Sequence, residues 1–130
     1  MNIMRIIGIG IDITECKRIR RMLERHPESF TGRVFTDAEN AYCSRGKRRL
    51  ADHYTGRWAA KEAVFKALGT GWSAGMSWRD IEILNEPGGK PFVNLTGAVA
   101  ELVRSKNIEE IQITISHCGS HAVAFAIASG

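Results

Sequence analysis

The chain has 130 residues, of which 44% are hydrophobic, and a formal charge of +4. Such a length fits one domain that buries about two thirds of the surface its unfolded chain exposes, and no stretch is long and apolar enough to be read as a membrane span. Cys16, Cys43 and Cys118 are odd in number and widely spaced, which argues against a disulfide framework or a zinc site and for reduced thiols in a cytoplasmic protein.

The opening run to Ile13 is apolar but is broken by Arg5 and Asp12, so it lacks the long apolar middle of a signal peptide. Within it Ile7, Ile9 and Ile11 alternate with Gly8, Gly10 and Asp12, the period of a strand with one face in the core. Asp12 therefore points away from the isoleucines. The two glycines on its side leave room for another backbone, a helix or a ligand to approach closely. Cys16, Ile19, Met22 and Leu23 then recur at helical spacing until Pro27, with Thr14 as the expected N-cap. Arg18, Arg21 and Arg25 share one face of that helix.

Thr36 followed by Glu39 is a capping-box pattern for a second helix, with Ala38, Ala41 and Tyr42 as its apolar side. Arg45 to Arg49 reads as a basic loop, and a long helix follows from about Leu50 to Leu68, stopped by Gly69. Beyond it Ile81 and Ile83 alternate around Glu82, Pro87-Gly88-Gly89 forms a turn, and Phe92 to Leu95 is again extended, which predicts a hairpin. Thr96 can cap a short helix carrying Val99, Leu102 and Val103. A second hairpin is expected from Ile111, Ile113 and Ile115, a turn at Cys118-Gly119-Ser120, and a strand whose Ala122, Ala124, Ala126 and Ala128 face needs a close neighbour, a helix or another subunit.

Two basic clusters, one on the first helix and one at Arg45 to Arg49, favour an acidic partner. Each could equally be a solvated surface, or serve a non-catalytic module that binds RNA. Against the RNA reading, no aromatics are interleaved with the basic residues and no common nucleic-acid motif is present. Asp12 and Glu62 lie in apolar surroundings where an acid needs a partner. Together they suit a hard divalent cation, which binds one or two carboxylates plus phosphate oxygens and water. Alone, Asp12 could cap a helix and Glu62 could pair with Lys66 at i, i+4. Lys61, Glu62 and Lys66 before Gly69-Thr70-Gly71 suit a polyphosphate, although the order is not that of a P-loop.

Gly8-Ile9-Gly10-Ile11-Asp12, Phe35-Thr36 with Glu39, Arg57-Trp58-Ala59-Ala60-Lys61-Glu62-Ala63, Lys66-Ala67-Leu68-Gly69-Thr70-Gly71, Gly89-Lys90-Pro91 and Ser116-His117 together form a pattern. It resembles the bacterial holo-acyl-carrier-protein synthases of the 4′-phosphopantetheinyl transferase superfamily, from end to end. The resemblance implies a compact α+β domain with antiparallel strands on a long helix, three subunits to an assembly, and active sites at subunit boundaries. It also implies transfer of 4′-phosphopantetheine from coenzyme A to a serine of an acyl carrier protein, in fatty acid biosynthesis. Asp12 and Glu62 would be the magnesium ligands, which sets aside the simple pairing of Glu62 with Lys66. Lys66 would contact the coenzyme A phosphates, Arg57 and His117 would lie near its 3′-phosphate, and Gly69, Thr70, Gly71 and Pro91 would line the nucleotide site. Arg18, Met22 and Arg25 would dock the carrier protein. The chain departs from the family at Trp58, where phenylalanine is usual and which the core is expected to absorb, and at Cys118-Gly119, where polar or acidic residues are common.

Overall fold

Five strands and five α-helices follow one another in a computed structural model that describes residues 3–70 and 75–130: β1 (Ile6–Glu15), α1 (Cys16–Arg25), α2 (Pro27–Val34), α3 (Asp37–Cys43), α4 (Leu50–Leu68), β2 (Ile81–Asn85), β3 (Pro91–Leu95), α5 (Gly97–Ser105), β4 (Glu110–His117) and β5 (His121–Ser129). All strand pairs are antiparallel. β1, β5 and β4 form one sheet in that order, and β2 and β3 form the separate hairpin expected from the Pro-Gly-Gly turn. The α+β class read from the sequence is the one observed. Among the described residues no helix is long and apolar enough to cross a membrane.

Helix α4 is the axis of the fold. It is buried on most sides, through Ala59, Ala60, Ala63, Val64, Phe65, Ala67 and Leu68, and Gly69 ends it in the left-handed region at φ 76°, a conformation glycine adopts without steric cost. Its alanines lie on the three-stranded sheet. The facing side of that sheet is equally small, because Gly8, Gly10, Asp12 and Thr14 of β1 pair with Ala128, Ala126, Ala124 and Ala122 of β5. The close neighbour required by the alanine face is thus a helix of the same chain.

That packing inverts the expected role of β1. The face in the core is the glycine face, while Ile9, Ile11 and Ile13 remain 58–66% exposed, with Ile3, Met4, Ile6 and Ile7 continuing the strip. A helix lying backbone to backbone on the strand has no room for isoleucine, so the large side chains take the outer face.

A second cluster of Ile19, Phe30, Val34, Phe35, Cys43 and Tyr54 joins the first three helices to the start of α4. Helix α2 breaks the expectation that the chain leaves helical structure at Pro27. The proline occupies the first turn, where its missing N–H is no loss, and Phe30 and Val34, one turn apart, fill the core. The capping box at Thr36 and Glu39 forms in both directions. Thr14, by contrast, caps nothing: Glu15 is the N-cap residue of α1 without a side-chain bond.

Candidate active site

The approach of β1 to α4 sets up the first cluster. A Cβ on Gly8 would stand 1.9 Å from the Ala67 carbonyl oxygen, and one on Gly10 would stand 2.0 Å from that of Ala63. No other residue type fits there. Two positions further along the same face, Asp12 is thereby brought against the last turns of α4. Lys66 Nζ lies 3.3 Å from Asp12 Oδ1 and donates to the Ile11 carbonyl at 2.9 Å. The Thr14 hydroxyl donates to Asp12 Oδ2 at 2.5 Å, so this threonine orients the acid rather than capping a helix.

Glu62 stands one turn before Lys66 and is half-buried. Burial, and then the neighbouring Asp12 carboxylate, raise its pKa above the ordinary glutamate value, with Lys66 and Arg18 pulling the other way. Lys66 is turned toward Asp12, and among the described residues it forms no ion pair with Glu62. Two carboxyl groups that repel each other's charge, one of them without an ion pair among the described residues, would suit a hard divalent cation. Among the described residues no group of three or more His, Cys, Asp or Glu side chains gathers. Asp12 and Glu62 are the residues that would hold a magnesium ion, which takes one or two carboxylates and completes its shell with phosphate oxygens and water.

One expectation for this helix end needs correction, that Lys61 faces a polyphosphate, and the Gly69 amide has a structural role. The Gly69 amide is not available to a ligand, since it donates to the Lys66 carbonyl at 3.1 Å and closes the helix. Thr70 is exposed beside it, and Gly71 lies outside the described residues. Lys61 does not face a polyphosphate either. It is fully buried, and its ammonium reaches Glu39 Oε1 and the Val34 carbonyl at 2.8 Å, the Trp78 carbonyl at 3.0 Å and the Ile81 carbonyl. Glu39, also fully buried, accepts from the Thr36 and Ile83 amides, both at 2.9 Å. This charged pair ties α3, α4, the end of α2 and β2 into one unit.

Arg57, Pro91 and His117 meet elsewhere. They line a cavity of about 220 Å³ with Tyr42, His53 and Asn85, at the β4 edge of the sheet, whereas Asp12 lies on β1 at the other edge. Arg57 donates to Asn85 Oδ1 and holds its guanidinium 3.9 Å from the Tyr42 ring centroid. Asn85 is fixed in turn by donating to the Gly89 carbonyl at 2.8 Å. Glu62 is five positions after Arg57, about 140° around an α-helix, and Lys66 is nine positions after it, about 180°. The chain therefore presents two clusters on opposite faces of α4. Tyr42, His53 and Asn85 escaped the sequence reading; only the i, i+4 spacing of His53 and Arg57 could have pointed to one of them.

Arg18, Arg21 and Arg25 are exposed on α1, as expected. Met22 sits among them at the edge of an apolar pocket of about 420 Å³ lined by Phe30, Val34, Trp58 and Trp78. Trp58 packs, partly buried, against the Ile19, Phe30 and Val34 cluster; it stacks on Trp78 with centroids 4.8 Å apart and carries the Arg18 guanidinium 5.7 Å from its ring centroid.

This fold is that of a known class of transferase. A family model of the 4′-phosphopantetheinyl transferase superfamily matches residues 8–126, and the chain belongs to that superfamily. Within it the chain is similar to holo-[acyl-carrier-protein] synthases. That of Desulforudis audaxviator is 50% identical over 125 residues, covering 96% of this chain and 94% of that protein. The crystal structure of the holo-[acyl-carrier-protein] synthase from Neisseria meningitidis matches with a TM-score of 0.87 at 31% identity, covering 95% of this chain and 98% of that one. That of the Helicobacter pylori enzyme in complex with coenzyme A matches with a TM-score of 0.81 at 30% identity, covering 92% and 98%.

Proposed function

We propose that this chain transfers the 4′-phosphopantetheine group of coenzyme A to a serine of apo-acyl carrier protein, releasing adenosine 3′,5′-bisphosphate. The observation that carries the reading is the convergence of Asp12, Glu62 and Lys66 across the glycine contact of β1 with α4, in a chain of this superfamily. The serine oxygen forms a bond to the phosphorus that bears the pantetheine arm, its proton is released to solvent, and the bond from that phosphorus to the bridging oxygen breaks, the electron pair leaving on the bisphosphate. Lys66, half-exposed and anchored by Asp12 and the Ile11 carbonyl, offers a fixed positive charge to the pyrophosphate. Magnesium held by Asp12 and Glu62 would supply further positive charge at those phosphates.

Arg57, Pro91 and His117 form the second part of the reading, the subsite for the nucleotide's 3′-phosphate. Coenzyme A carries its pyrophosphate and its 3′-phosphate on one nucleotide, yet the two clusters face opposite ways on α4. We assign them to adjoining copies in a trimer, with one copy supplying Asp12, Glu62 and Lys66 and its neighbour supplying Arg57 and His117. The exposed aliphatic strip of β1, next to Asp12, supports this: so large a contiguous apolar surface is unusual on a monomer.

The carrier would dock on α1, where Arg18 and Arg25 attract an acidic partner and Met22 with its apolar pocket accepts an aliphatic side chain. The RNA reading gains no support from the described residues, whose large exposed hydrophobic side chains are isoleucines and a methionine and offer no stacking platform. The free thiols of Cys16, Cys43 and Cys118 fit the reducing cytoplasm. Incubation with apo-acyl carrier protein, coenzyme A and magnesium, read by mass spectrometry of the carrier, tests the reading. A phosphopantetheine adduct is expected, and its absence across salt and pH would overturn the assignment.

A further inference from the structure

His53 stands in the Arg57 cavity and has no part in the reading above. It lies one turn before Arg57 on α4, so the two side chains leave the same face of the helix, and both line the cavity. Their common support is Tyr42, whose ring centroid is 5.2 Å from that of the imidazole and 3.9 Å from the Arg57 guanidinium. Arg57 is only 4% exposed. Two buried nitrogens here, His53 Nδ1 and Arg57 Nε, have no hydrogen-bond partner among the described residues. Buried polar atoms are rarely left so, and two of them beside one cavity point to a ligand that completes the set.

The charges decide what kind of ligand. Arg57 and Asp52 from its own helix, Arg49 from the turn before it, Tyr42 and Cys43 from α3 and His117 from β4 surround the imidazole. Burial first, and Arg57 next, hold the His53 pKa below the ordinary histidine value, which favours the neutral ring. Arg49 and Arg57 outweigh Asp52 by one charge. A phosphate monoester brings nearly two negative charges and three acceptor oxygens near neutral pH. Its arrival reverses the sign of the field at the ring and gives an imidazolium N–H an acceptor.

Resting on the nucleotide reading of this cavity, we propose that His53 is a phosphate-binding residue, neutral when the cavity is empty and protonated when a nucleotide's monoester phosphate sits beside Arg57. On this account the cavity distinguishes a nucleotide that carries the additional phosphate from one that lacks it.

The test uses the whole protein with adenosine 3′,5′-bisphosphate as the probe and, as the control, adenosine 5′-monophosphate, whose single phosphate on this reading takes the place of the pyrophosphate beside Lys66 and leaves the Arg57 cavity without one. Imidazole signals of ¹⁵N-histidine-labelled protein, assigned with H53Q, give the His53 titration directly. The bisphosphate is expected to raise the His53 pKa by about one unit or more, the linkage equivalent of a tenfold preference for the protonated ring, while the monophosphate leaves it in place. In H53Q the affinity ratio of bisphosphate to monophosphate should fall about tenfold, the scale of one charged hydrogen bond. Wild-type protein that binds the bisphosphate with an unmoved His53 titration would overturn the proposal and leave the nucleotide reading standing. Wild-type protein that binds no bisphosphate overturns both.

Discussion

Replacing Gly10 with alanine tests whether the backbone contact of β1 with α4 holds the reactive groups in place. The added Cβ would fall 2.0 Å from the Ala63 carbonyl oxygen and 2.6 Å from the Ala67 amide nitrogen. Both atoms belong to helix backbone and cannot rotate away. The gap must open by about 1.4 Å to reach the 3.4 Å at which such contacts become ordinary. Overpacking of this kind costs about 1–3 kcal/mol, and the absence of any flexible neighbour puts this site at the upper end. The same displacement carries Asp12 away from Lys66, whose 3.3 Å contact and 2.9 Å bond to the Ile11 carbonyl depend on the strand's position. A misplacement of about 1 Å at a reacting centre can cost on the order of 100-fold in rate. Gly10→Ala should therefore lose about 3 kcal/mol in urea denaturation and roughly 100-fold in carrier modification by the fraction that remains folded. Gly32→Ala is the control: nothing lies within 4 Å of its added Cβ, and in a helix alanine is favoured over glycine by about 0.5–1 kcal/mol. A Gly10→Ala protein as stable and as active as the Gly32→Ala protein would refute the reasoning.

The two lysines of the Lys-Glu segment should separate cleanly. Lys61→Met leaves Glu39 buried without its cation and should cost about 3–5 kcal/mol in the same denaturation assay, whereas Lys66→Ala should hold its stability and lose activity. Asp12→Ala and Glu62→Ala should each abolish most turnover while circular dichroism stays native, since each removes a cation ligand and not a core contact; a folded variant with near-normal magnesium-dependent activity would sink the metal assignment. Iodoacetamide should label Cys118 alone in the folded protein. Hydrogen bonding with Ser120 holds that exposed thiol below its ordinary pKa, burial raises Cys16, and burial pushes Cys43 up to about 12; peptide mapping that finds Cys43 modified first would contradict this. Arg18→Glu with Arg25→Glu should raise the KM for carrier protein far more than that for coenzyme A, and equal losses toward both substrates would place the damage at the active site instead.

Local patterning made much of the architecture legible. The period of β1, the capping box at Thr36, the extent of α4 and both hairpins are properties of neighbouring residues, and each was readable as such. What escaped depends on partners remote in sequence. Glu39 reads as a capping residue, and nothing in the chain says that its carboxylate also receives an ammonium 22 positions away. Lys61 consequently reads as one of three site residues beside Glu62 and Lys66, when it is a core group. Pro27 reads as a stop because proline ends helices, and only the burial of Phe30 and Val34 reveals that it also starts one. The family pattern supplied the site residues as a single set. The turn of the helix divides them between two faces, a fact that spacing along α4 already contains once the helix is accepted.

The inversion of β1 links these observations. Ordinarily the larger apolar face of a strand goes to the core, because burial scales with area. Here α4 needs a glycine face to lie close enough for Asp12 to reach Lys66, so the isoleucines are displaced outward. The strip they form is a direct consequence of that placement and not an independent feature. On the proposed reading a second copy covers it, and in doing so adds an Arg57 cluster to the nucleotide bound by Asp12, Glu62 and Lys66. The unfavourable exposure of five or more aliphatic side chains would then serve the reaction twice: it permits the close helix-strand contact within the chain, and it would drive the proposed association that joins the two half-sites.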